Sequence, residues 1–421
     1  MTSSSWQRVL YPGLLLFGLS LPLSKSASTI LLAVVYVSAL AGALSCKEFR
    51  DDVMHVCRQP LTAALALFCL VAYAGIINTG NHADGFKVAN KFVSLPAIYF
   101  LVSVLLQSER SEDARGRKAE SLLFSFLAGL AALNLLGVLI FLGLVGDAKF
   151  AFPLAPLGMH HIWYSNTNAL GVYTAVSCLL FTRAGASARG RALLVGFLLL
   201  AALGILLSTS RTAWFGIAMT ALIMAALTIK RKKTLLLAVL LAVLAFASAY
   251  WSVPFVHQRI QLITEDLALY STNEHAESSI GGRLVLWKSA LQMFASHPVV
   301  GIGTGDFVEA LKTMRRARVI PKFLLAFNQP HNMYLFSLAT NGIIGLASLL
   351  YVFYRSLKSA APALRSGDRG NVFAFLAMAT AVHFMVAGLM DSFFNIQVLR
   401  YSFAFIMGVC IRNPMSGAPR P

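Results

Sequence analysis

The feature that most constrains this chain is a succession of apolar runs, nearly free of charge and separated by short polar stretches. Many are about 18 to 25 residues long, the length at which a helix crosses roughly 30 Å of hydrocarbon. An oversized soluble core would not repeat such runs. The composition agrees: 57% of residues are hydrophobic and 12% charged, with a mean hydropathy of +0.71, whereas soluble domains carry about a quarter charged residues. The pattern predicts an all-α integral membrane protein forming a single polytopic domain over residues 1–421. About twelve transmembrane helices are expected, at 9–23, 28–45, 60–78, 91–107, 119–145, 164–182, 191–208, 212–229, 234–252, 332–354, 371–390 and 396–411.

The net charge of +18 would suggest nucleic acid in a soluble protein, but no separate basic domain or RNA-binding signature is present. Most Lys and Arg fall in short loops, where they set topology. With the N-terminus inside, about 21 of the 35 basic residues fall in inside segments and about six in short outside loops. Both termini are then expected to be cytoplasmic. The five cysteines show neither metal-ligand spacing nor a disulfide framework.

Between Pro254 and Pro330 the chain stops being membrane-like. Long loops translocate regardless of charge, so 254–330 is expected to lie outside, between helices nine and ten. It should carry two amphipathic helices, one from Gly282 to His297 and one beginning at an Asp306 cap. Gly301-Ile302-Gly303-Thr304-Gly305 reads as a tight turn between them, since no strand precedes it and no Lys-Ser/Thr follows.

His331 stands after Pro330 at an expected helix N-terminus. The positive end of the dipole disfavours imidazolium, so a neutral, proton-accepting ring is expected, as a general base requires. An interfacial histidine bonded to loop backbone is the alternative. Arg283 begins the first loop helix, and Arg211 begins a membrane helix after Ser208-Thr209-Ser210. A cation at a helix N-terminus is unfavourable by roughly 0.3–1 kcal/mol unless an anion shares the site, and a diphosphate would be such an anion; snorkelling and solvent exposure are the other readings. Arg315, Arg316, Arg318 and Lys322 face either lipid phosphates or water. Asp391 and Arg400, at facing edges of the last two spans, either pair with each other or line a substrate path. His160-His161 has no matching carboxylate or cysteine cluster, and no metal site is expected.

On these residues the sequence resembles the O-antigen ligase family, which shares a superfamily with O-antigen polymerases and bacterial O-oligosaccharyltransferases. The resemblance lies in His331-Asn332 followed after nine residues by Gly342-Ile343-Ile344-Gly345, in Arg283 within Gly282-Arg283-Leu284-Val285-Leu286-Trp287, and in Arg211 within Ser208-Thr209-Ser210-Arg211-Thr212-Ala213-Trp214. It implies glycosyl transfer at the periplasmic face of the bacterial inner membrane. The donor would be O-antigen linked to undecaprenyl diphosphate, and the acceptor a hydroxyl of lipid A-core. His331 would be the base, and Arg283 and Arg211 would hold the diphosphate. Asn332, Arg315, Arg316, Arg318, Asp391 and Arg400 are further substrate-binding candidates, with membrane lipids as neighbours and no cofactor implied. A polymerase, using a second lipid-linked glycan as acceptor, is the competing enzyme reading. A polytopic transporter is the competing class, though neither repeated halves nor paired broken spans support it.

Overall fold

The computed structural model describes residues 3–146, 151–272, 277–366 and 371–411; the expected inside residues Arg369, Arg412 and Arg420, and Lys149 of an expected outside loop, lie outside these. Among the described residues the chain is helical throughout, without strands. Among the described residues six helices are long and apolar enough to cross a membrane: Lys25–Ser45, His82–Gln107, Glu112–Phe141, Ala188–Leu207, Arg211–Thr228 and Met333–Pro362. Lys47–Cys57 and Pro60–Ala74, bent by 72° at the break between them, are long and apolar enough only when taken together. Arg8–Ser20, Val372–Ala387 and Gln397–Cys410 are apolar but shorter.

Helix starts explain the main departures from the expected ranges. The span expected at 91–107 begins at His82, because Asn81 Oδ1 accepts the Asp84 N–H at 3.1 Å and caps it. Asp84, Lys87 and Lys91 disguise this turn as loop. The span expected from 119 begins at Glu112 behind a Ser111 cap, with Glu112 and Asp113 favourably placed at the positive end of the dipole. The polar interval holds three helices rather than two, Pro254–Thr272, Ser279–Ser296 and Phe307–Arg316. Ser278 caps the second of these, which puts Arg283 in its second turn.

Asp306 precedes the third helix but makes no side-chain cap to it. Its carboxylate instead accepts Gly80 N–H at 2.7 Å, Asn81 N–H at 3.2 Å and the Thr79 hydroxyl. The interval is thereby tied to the turn before His82–Gln107. A second tie is made at Gly342, where helix Met333–Ser366 breaks with φ 62° and ψ −156°. The turn segment 298–303 runs across this break: Ile302 and Gly303 N–H donate to the Ala339 and Thr340 carbonyls at 2.9 and 3.1 Å, and Ile343 N–H donates to Pro298 O at 2.9 Å. Backbone groups freed by the break are thus satisfied by protein, as they must be away from water. A Cβ on Gly342 would lie 2.3 Å from Val299 O, and one on Gly301 2.3 Å from Thr340 C. The glycine turn and the glycines of the 342–345 motif are two halves of one joint.

Beneath this joint Phe384, Phe393, Phe394 and Phe403 pack with ring centroids 4.8–5.6 Å apart, each such pair contributing about 0.5–1.5 kcal/mol beyond area burial. A buried polar seam fixes helix His161–Phe181: Tyr164 O–H donates to Asn134 Oδ1 at 2.6 Å, Asn134 Nδ2 to Asn168 Oδ1 at 2.7 Å, and His383 bridges Tyr173 and Asn166 at 3.0 and 3.1 Å. Such a seam rigidifies a bundle only when its members are satisfied.

Replacing Gly342 by alanine combines an unfavourable φ with a backbone clash, and should destabilise the protein by more than about 1 kcal/mol. Gly116, whose added Cβ meets nothing within 4 Å, is the control, and Gly116→Ala should be neutral or stabilising by up to about 1 kcal/mol. Thermal unfolding of the detergent-solubilised variants measures both.

Candidate functional site

His331 does not belong to a helix. It has φ 53°, a left-handed conformation uncommon for a residue with a side chain, and Asn332 starts the following helix: its Oδ1 accepts the Tyr334 and Leu335 N–H groups, each at 3.0 Å. The surroundings impose the conformation of His331. Met333 N–H donates to Gly388 O at 2.8 Å, Trp287 Nε1–H to Pro330 O at 2.9 Å, and Phe327 stands edge-on to the imidazole at 5.2 Å.

His331 Nδ1 lies 3.1 Å from Asp391 Oδ1. Asp391 is 1% exposed, and the same oxygen accepts Gln329 Nε2–H and Ser392 N–H, both at 2.8 Å. Burial pushes the Asp391 carboxyl up, but the bonds from His331, Gln329 and Ser392 outweigh it and hold the group below its usual range. A carboxylate only accepts, so Nδ1 carries the proton, and in the neutral ring it is Nε2 that presents the lone pair. The expected pairing of Asp391 with Arg400 is therefore replaced. Arg400 faces helix His82–Gln107 and donates Nε–H to Ser94 Oγ and Nη1–H to Phe394 O, both at 2.7 Å.

Arg211 follows the Ser210 cap, and its Nη2 approaches Ser279 Oγ at 3.2 Å and Asp266 Oδ2 at 3.7 Å. Its Nη1 is buried and unpartnered. Arg259, from helix Pro254–Thr272, donates to Thr209 O at 3.3 and 3.4 Å. Arg283 makes no hydrogen bond or ion pair with other described residues, yet Asp391, Arg211 and Asp266 all act on its charge. Burial first, and then Arg211, lower the guanidinium of Arg283; the same two causes lower that of Arg259. Both remain charged at neutral pH, because arginine starts so high.

His160 completes the group. Its Nδ1 accepts Ile162 N–H at 3.3 Å as the cap of helix His161–Phe181. Burial lowers its imidazole, Asp391 acts in the opposite sense, and His331 and Arg283 lower it further. His161 Nδ1 donates to Ser208 O at 3.0 Å, joining the two histidines to the turn that carries Arg211.

Residues 196–350 match the family model described as O-antigen ligase. The similarity to O-antigen ligases is confined to that segment, which is less than half of the chain. Over 97 residues the chain is also 25% identical to an uncharacterized protein of Haemophilus influenzae, covering 23% of this chain and 24% of that protein. The match thus spans about a quarter of that relative's length.

The matched segment 196–350 contains Arg211, Arg283 and His331, while His160 and Asp391 lie outside it. Sequence reasoning missed Arg259, Asp266 and the positioning of His160, because helix Pro254–Thr272 was read as loop. Arg315, Arg316 and Arg318 stay within their own turn: Arg315 Nη1–H donates to Ile320 O at 3.3 Å, Arg316 Nη1 lies 3.5 Å from Glu309 Oε1, and Arg318 has φ 59°. Among the described residues no three His, Cys, Asp or Glu side chains are grouped to hold a metal ion.

The folded Asp391 carboxyl titrates lower than the unfolded one, so its contribution to stability is complete above the unfolded value of about 4 and is lost as pH falls through the folded value. Melting temperatures followed from about pH 6 to about pH 3 should fall less steeply for Asp391→Asn than for the wild type.

Proposed function

We propose that this protein transfers O-antigen polysaccharide from undecaprenyl diphosphate to lipid A-core at the periplasmic face of the inner membrane. The observation that carries this reading is an imidazole held by a buried carboxylate whose charge also acts on Arg283, one of an arginine group short of anions. Asp266 and Asp391 are the carboxylates acting on Arg283, and Asp391 already has three donors. A diphosphate would supply the missing negative charge, and guanidinium forks match its oxygens.

The acceptor hydroxyl gives its proton to His331 Nε2 as its oxygen attacks the anomeric carbon. The carbon–oxygen bond to the diphosphate breaks from the opposite face, so configuration inverts. The bonding electrons leave with undecaprenyl diphosphate, whose growing charge Arg283 and Arg211 offset. Asp391 stabilises the imidazolium that forms. No metal is required in this scheme. The accompanying topology has about twelve spans, cytoplasmic termini and the 254–330 interval as a periplasmic lid.

The test is transfer by purified protein with defined donor and acceptor. His331→Ala should lower kcat by about 10²–10⁴-fold, and Arg283→Ala by about 10²–10³-fold with a raised KM for donor. Wild-type turnover by a well-folded His331→Ala protein would exclude the base assignment. Transfer to a second lipid-linked glycan, with none to lipid A-core, would make the protein a polymerase.

A further inference from the structure

A cationic cavity opens beside the first turns of helix His82–Gln107. Asp84, Lys87, Lys91 and Ser94 recur at spacings of three, four and three, and so share one helix face. Asp84, Lys87 and Lys91 of this face line a cavity of about 240 Å³, with Phe307, Asn328 and Asn395 among its other walls. Lys91 is half-buried, and the charges of Arg400 and Lys87 repel it while Asp84 attracts it. Arg400, only 4% exposed, uses two neutral acceptors, Ser94 Oγ and Phe394 O. It makes no ion pair with a described residue.

Three cations thus meet one carboxylate, and Asp84 already accepts Asn81 Nδ2–H at 2.9 Å. A buried cation lacking a counter-charge is unfavourable. Asn395 Oδ1 is buried without a hydrogen-bond partner at the cavity wall. The position is also informative. Asn328 lines the cavity, and three residues of chain reach at most about 11 Å, so the cavity is adjacent to His331.

We propose that this cavity binds a phosphate group carried by a membrane-anchored lipid, with Lys87 and Lys91 contacting its oxygens and Arg400 fixing the positive field beneath them. Which lipid rests on the proposed function. A phosphate of the lipid A-core acceptor would place that molecule beside the base, while a bilayer phospholipid would anchor the lid.

The experiment uses full-length protein in phosphatidylcholine nanodiscs, with binding read directly. The probes are phosphorylated lipid A-core, the same material dephosphorylated, and phosphatidylglycerol. Wild-type protein should bind phosphorylated lipid A-core about tenfold more tightly than the dephosphorylated form. Lys87→Gln/Lys91→Gln should abolish that preference, and Lys87→Arg/Lys91→Arg should keep it. If the double variant does not fold, Lys87→Gln alone, at an exposed side chain, should reduce the same preference. In turnover the Gln pair should raise the KM for acceptor and leave kcat and the KM for donor within about twofold. A preference confined to phosphatidylglycerol would retain the phosphate site and assign it to bilayer lipid. Equal binding of all three probes by wild-type and Gln proteins would overturn the proposal. Binding needs no turnover, so a protein that shows the preference yet transfers nothing would end the functional reading and leave the site standing.

Discussion

A single buried carboxylate oxygen organises the centre of this protein. Asp391 Oδ1 receives hydrogen from Gln329, His331 and the Ser392 backbone, and an ionised carboxyl so deeply buried would be untenable without them. Two of the donors come from the segment where the polar interval rejoins the membrane helices. The carboxylate therefore dictates the path of that segment, including the left-handed backbone of His331. Such a conformation costs of order 1–3 kcal/mol, and a hydrogen bond to a charged group contributes about 1.5–3 kcal/mol, so the pairing can sustain it. The strain has a directional result, because it turns the imidazole so that Nδ1 meets Asp391 and Nε2 is left to accept.

That arrangement would be useless on a mobile loop. The polar interval is held at two further places, at Gly342 by backbone bonds to the crossing stretch 298–303 and at the 79–81 turn by the Asp306 carboxylate. The first tie satisfies backbone groups freed by the helix break, and the second adds charge-assisted bonds at the exposed end of the bundle. The interval behaves as part of the bundle, with helices Pro254–Thr272 and Ser279–Ser296 bringing Arg259, Asp266 and Arg283 to the turn that carries Arg211.

Much of this was legible from the sequence because it rests on local signals. Hydropathy marked the helical membrane class, and Ser210, Pro330 and the glycine run marked the turns where Arg211, His331 and the interhelix joint occur. What was hidden depends on contacts across long separations. Nothing near Asp391 announces that its partner is 60 residues earlier, and Arg400, on the neighbouring helix, was the natural guess by proximity in sequence. Asp306 looked like a helix cap because caps are local, yet its carboxylate serves a turn more than 220 residues away. Periodicity also failed where charge interrupts an apolar helix, as at Lys87 and Lys91, and the apolar runs could not separate long spans from the shorter helices Val372–Ala387 and Gln397–Cys410.

Those interruptions carry a further lesson about charge. The two cationic groups of the described structure that lie near the 328–331 segment are each short of anions: Arg211, Arg259 and Arg283 share Asp266 and the committed Asp391, while Lys87, Lys91 and Arg400 share Asp84. A protein built only for stability would gain by neutralising such groups, since like charges repel strongly where the dielectric is low. Keeping two unneutralised groups within a few residues of one proton acceptor makes sense if anions arrive on two separate molecules, one beside each group. His331 then stands where the chains of both would meet, and the unpaired charge on either side is what selects and orients them before any bond is exchanged.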